Sequence, residues 1–243
     1  MLLLLLIAGA KFSAYKDNPE LTAMLETMPP ALLDAFGMRA FNLTTLQGFF
    51  GVMSIYFNLM GALAGALWGA GILSKEEEGR TADFLLALPI ERERVVLAKA
   101  LAVGVTCGLF VFITWLASLG VAGYYRADAA FYPFLGLEMV SMLLITWTFA
   151  AVAFFFSGVL RPASRATSLS VALVLAFYVL SVISEMHDRL KFLKYITPFK
   201  YFDAATLARE GRLNSLHVLL FLTLSLVGLV STIFTYRRRD IYL

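Results

Sequence analysis

Five stretches of this chain contain no Asp, Glu, Lys or Arg: residues 40–74, 100–125, 139–160, 166–184 and 213–236. A helix needs about 20 apolar residues to cross a hydrocarbon core roughly 30 Å thick. Each stretch meets or approaches that length, and together they leave little room for a solvated domain. Of the 243 residues, 60% are hydrophobic and only 15% charged, whereas soluble domains carry about 25% charged residues. The pattern predicts an all-α integral membrane protein. Its secure spans are about 45–73, 95–123, 136–159, 166–184 and 215–236.

A sixth span is harder to place. The opening run "MLLLLLIAGA" meets Lys11 after ten residues, about half the length needed. Lys11 can snorkel along its stem, which extends the run to residues 1–15. A secretory signal would need a basic region ahead of the apolar run, and none is present. The reading adopted is a short or truncated first span. That makes six transmembrane helices in a single domain over residues 1–243.

Basic residues in short loops mark the cytoplasmic side. Loops 74–99 and 160–166 and the tail carry ten Lys and Arg, and the remaining loops also carry ten. The tie comes entirely from residues 185–212, which hold six. Without that segment the first set prevails, so the first two loops and the C-terminus are expected inside. Residues 185–212 are expected outside or folded back into the protein. Phe192, Tyr195, Phe199, Tyr201 and Phe202 alternate there with Lys191, Lys194 and Lys200, a headgroup-depth composition. Pro198 should interrupt any helix, so two short interfacial or re-entrant helices are expected around it. Residues 16–47, with Pro19, Pro29 and Pro30, form an outer connector with room for one short interfacial helix.

In the second span Gly61, Gly65 and Gly69 recur every fourth residue. They leave a stripe where another backbone can come close, as on GxxxG faces. The stripe serves contact with a helix of the same chain, a subunit contact or a pathway lining.

Chemistry-bearing motifs are missing. No Gly-rich turn ends in Gly-Lys-Ser/Thr, so the chain has no P-loop. His187 and His217 have no His or Cys at ligand spacing, and no metal site is expected. Cys107 sits alone in mid-span as a small core residue. The charge-free intervals hold no acidic group for a proton relay or an intramembrane protease. A net charge of +3, spread over short loops, builds no nucleic-acid face. If the chain moves a solute, the energy comes from a partner.

One charged stretch stands out, "SKEEEGRTADFLLALPIERERVVLAK", from Ser74 to Lys99. Thr81 can cap a helix that Pro89 ends. On that helix Phe84, Leu85 and Leu88 share a face and Asp83 lies off it. Glu76, Glu77 and Glu78 precede it, where negative charge favours a helix N-terminus. Arg92 and Arg94 begin the lead into the next span. The short helix either lies in the headgroups or offers a docking surface to another protein.

The stretch resembles the cytoplasmic loop of type-two ABC exporter permeases. That pattern runs from a Glu-rich turn through Gly-Thr, an acidic residue, Leu-Leu, a small residue and Pro to a basic helix ending in Lys. Glu76 to Glu78, Gly79, Thr81, Asp83, Leu85 to Pro89, Arg92, Arg94 and Lys99 follow it in order, with Arg80 inserted. "YITPFKYFD" (Tyr195 to Asp203) and the closing "RRRDI" (Arg237 to Ile241) are also similar. Such permeases open on an amphipathic helix that these first residues do not match, so a truncated start or a dispensable elbow is expected.

The resemblance implies a permease subunit of an exporter, without catalytic residues, in the inner (plasma) membrane. It would pair with a second permease copy and recruit a cytosolic ATPase that carries the ATP and Mg. Thr81 to Leu88 would be the coupling helix, anchored by Phe84, Leu85 and Leu88. Glu76 to Glu78, Arg92 and Arg94 would form its polar rim. The alternative is a membrane scaffold or sensor subunit using the same loop. The substrate is not legible.

Overall fold

The computed structural model describes residues 41–73, 91–160, 162–186 and 188–237, with isolated positions between 9 and 38. Among these are five helices long and apolar enough to cross a membrane. They are α1 (Leu46–Ile72), α2 (Arg92–Tyr124), α3 (Phe131–Val159), α4 (Ala163–Met186) and, after the short α5 (Ala204–Glu210), α6 (Ser215–Arg237). Four match the expected spans to within a few residues. The expected first span and the outer connector's helix lie almost wholly outside the described residues.

The helix ends follow local chemistry. Thr45 caps α1 by accepting from the Gly48 amide at 3.1 Å, which satisfies one of the donors a helix start leaves over. At the end of α2, Arg126 donates to Gly123 O and Ala127 to Ala122 O, with Arg126 at φ 53°. This is a Schellman closure with arginine where glycine is usual. Asp203 caps α5 through the Thr206 amide, and Gly211, at φ 63°, ends it.

α3 departs from expectation. Its start was placed near residue 136, with Glu138 as a boundary charge. The helix begins five residues earlier, at Phe131, and Glu138 lies buried inside it. Phe131, Phe134 and Leu135 precede the glutamate and are all buried, so the apolar face continues through the charge. The segment between α4 and α6 also differs. It holds three short pieces, 3₁₀ turns at Asp188–Tyr195 and Pro198–Lys200 and then α5. Pro198 starts the second turn, because a helix's first position needs no amide hydrogen.

The contacts divide the chain into two compact units. The first comprises residues 1–60, 110–142 and 176–217. Its core is aromatic: Phe50 meets Phe131 edge-on at 5.1 Å and Phe57 at 5.9 Å. Phe12 packs on Phe49 and Tyr125, and the Tyr125 hydroxyl donates to Gly9 O at 2.7 Å. Residues 188–210 are held to α4 in this unit by Thr197, whose hydroxyl donates to Phe177 O at 3.1 Å. Tyr178 meets Phe199 edge-on, and Lys200 pairs with Glu185 at 3.0 Å.

The second unit comprises residues 61–109, 143–175 and 218–243. Here α1 and α3 approach closely through glycine. A Cβ on Gly65 would collide with the Thr146 carbonyl, and one on Gly69 with that of Ala150. Gly228 of α6 lies against Ala151, where a Cβ would fall 3.0 Å from its carbonyl oxygen. Small residues let backbones meet where apolar burial offers no advantage over lipid.

Candidate functional site

The sequence directs attention to the join between α1 and α2, across which the charged stretch runs. Of the residues singled out there, Glu76, Glu77, Glu78, Thr81, Asp83, Phe84, Leu85, Leu88 and Pro89 lie outside the described residues. Arg92 and Arg94 are exposed at the start of α2, and Arg94 pairs with Glu91 at 3.4 Å.

The ends of the two helices are joined directly, within the second unit. Lys99 lies seven residues into α2, about 10 Å along it. Its ammonium donates to Ile72 O at 2.8 Å and stands 3.5 Å from Leu73 O. Those carbonyls end α1, where no later amide of the helix remains to serve them. A cation there also complements the helix dipole. Beneath the bond Leu73, Val96, Phe154 and Tyr236 form a buried cluster, with Ile72, Ala100, Leu229 and Ile233 packed around it. The end of α1 is therefore braced against the first two turns of α2.

Deeper in this unit a cavity of about 150 Å³ is lined by Ala100, Val103, Gly104, Trp147, Phe154 and Leu229, among others. Its lining is almost entirely apolar, and the Trp147 indole spends its donor on Gly104 O at 3.1 Å. Cys107 is buried beside Val103 and Ala150. A second hollow, of about 300 Å³, lies between Leu67, Trp68 and Gly71 of α1 and Val103 and Thr106 of α2. These hollows suit apolar groups of small size. The stripe residues Gly65 and Gly69 face α3 of the same chain, and Gly61 is buried.

The first unit holds a polar cluster that the sequence reading missed. The Glu138 carboxyl meets the Ser54 hydroxyl, and Asn58 donates to Ser54 Oγ at 3.4 Å. All three residues are buried, and Glu138 Oε1 and Asn58 Oδ1 find no donor among the described residues. The Asp203 carboxylate acts on Glu138 as a like charge. The signal was present in "FYPFLGLEMV", an apolar run that continues across the glutamate; counting charge-free residues cut it short. His217 hydrogen-bonds through Nδ1 to Tyr201 O at 3.0 Å. Among the described residues no three His, Cys, Asp or Glu come together in a way that could hold a metal.

Five long apolar helices, braced by interhelical glycine contacts and polar bonds, define a multi-pass membrane protein. A family model described as "ABC-2 family transporter protein" matches residues 1–241. The chain belongs to that family and is thus a permease component of an ABC transporter, a transport subunit that is not itself catalytic. No match was found among the curated proteins compared.

Proposed function

We propose that the chain is the membrane-spanning subunit of an ATP-driven exporter and that residues 74–90 receive the push of a separate ATPase. The observation that carries this reading is the braced junction. A charged loop between two helices that Lys99 and Ile72 tie together can deliver force to both spans. The sequence has no P-loop, so ATP and Mg belong to the partner. Thr81 to Leu88 is the coupling helix, with Phe84, Leu85 and Leu88 seated in a groove of the ATPase. Glu76 to Glu78, Arg92 and Arg94 form the rim around it.

In this reading the loop and the C-terminus face the cytoplasm, and the protein sits in the inner (plasma) membrane. Two permease copies, identical or related, enclose the path. The apolar hollows favour a hydrophobic or lipid-like cargo over a bare ion.

The test is a pull-down in mild detergent, wild type against Phe84→Asp/Leu88→Asp, with co-purifying proteins identified by mass spectrometry. A Walker-motif ATPase recovered with wild type and lost with the variant supports the assignment. No ATPase with either form sinks it and favours a scaffold or sensor subunit.

A further inference from the structure

We propose that Lys99 is a positioning residue that clamps the ends of α1 and α2 into one body, so that motion entering through residues 74–90 reaches both helices together. The proposal rests on the coupling role argued above and adds the device that transmits the push. Lys99 is half-buried rather than extended to water, and it reaches across 27 positions of sequence to a helix end. A lysine at this depth could snorkel to the surface along its stem. Instead its ammonium engages the Ile72 carbonyl and approaches that of Leu73.

Separating the two helix ends would break a charge-assisted hydrogen bond. It would also open the cluster in which Leu73 and Val96, each 1% exposed, are buried with Phe154 and Tyr236. Relative sliding of α1 and α2 at this point is thus the costly motion, and joint movement the cheap one.

A lysine that only stabilises the fold would lower melting temperature without touching energy transfer. The experiment therefore reads ATP turnover in the permease–ATPase complex in nanodiscs, with Cys107→Ala as background. Lys99→Met should still capture the ATPase, and permease-dependent stimulation of ATP turnover should fall on the order of tenfold, the worth of one hydrogen bond to a charged group. Lys99→Arg should keep most of it.

In the decisive arm Ile72→Cys and Ala100→Cys are joined by a short thiol crosslinker. With Lys99 present, turnover should be the same before and after crosslinking; with Met at that position, crosslinking should restore what was lost. Wild-type turnover in Lys99→Met, or turnover that stops on crosslinking and returns when a cleavable crosslinker is reduced, overturns the clamp. Should Lys99→Met fail to fold, the crosslinking arm with Lys99 present decides alone. Failure of wild type to capture any ATPase removes the coupling reading itself, and the clamp's task with it.

Discussion

Trp147 of α3 donates its indole Nε1 hydrogen to the carbonyl of Gly104 on α2 at 3.1 Å, beside the apolar cavity that both residues line. Interhelical hydrogen bonds in membranes are worth about 0.6 kcal/mol on average. Trp147→Phe removes that bond and enlarges the cavity, so the loss should exceed the bond alone and reach about 1–2 kcal/mol. Reversible unfolding in mixed micelles measures it. A variant as stable as wild type would mean the indole is not bonded in the bilayer.

Glycines on these helices should divide into two groups. A Cβ on Gly69 would strike the Ala150 carbonyl and fall 3.1 Å from the Phe154 amide nitrogen. Gly69→Ala should cost about 1–3 kcal/mol, the usual penalty of overpacking. Among the described residues Gly108 meets no atom of another helix within 4 Å of the corresponding position, and Gly108→Ala should gain about 0.5–1 kcal/mol through helix propensity. Thermal unfolding of the two variants in one detergent checks the opposite signs. Equal shifts would contradict the close approach of α1 and α3.

Arg126 holds the left-handed position of a Schellman closure at φ 53°. Glycine adopts that conformation without a Cβ clash. Arg126→Gly should therefore stabilise the protein by up to about 1 kcal/mol, while Arg126→Ala should not. A loss with Gly would indicate that the guanidinium makes a contact worth more than the backbone strain.

The segment between α4 and α6 should loosen when Thr197 loses its hydroxyl. Thr197→Val keeps shape and removes the bond to Phe177 O, at about 1 kcal/mol. Amide exchange over residues 188–210 should accelerate about fivefold, with α3 unchanged. Uniform acceleration across the chain would instead mean global destabilisation.

Glu138 and Asn58 both approach the Ser54 hydroxyl, Asn58 by donating from its amide nitrogen at 3.4 Å, and each leaves one buried oxygen, Oε1 and Oδ1, without a donor among the described residues. Glu138→Gln keeps an acceptor for Ser54 and adds an amide donor within the cluster. It should raise stability by about 1 kcal/mol, read as a higher melting temperature at neutral pH. A fall would show that the carboxyl has a role that an amide cannot fill.

Much of this architecture was legible because the bilayer is a simple solvent: a helix of fixed rise needs a fixed apolar length. The charge-free intervals therefore located five long helices to within a few residues, except at the start of α3. There the rule failed for a physical reason. A carboxyl can be buried when other side chains surround it, and Ser54 and Asn58, some eighty residues earlier, are supplied by α1. Residue order also carried the loop motif, and with it the family.

What only the tertiary structure decided was partnership. The sequence left the Gly61/Gly65/Gly69 stripe open to three uses, and the fold sets Gly65 and Gly69 against the α3 backbone. It ended the loop motif at Lys99 as one more basic residue, and the fold turns that ammonium onto the last carbonyls of α1. Periodicity and charge act along the chain and can be counted there. A hydrogen bond across 27 residues depends on where two helix ends meet, which packing alone determines.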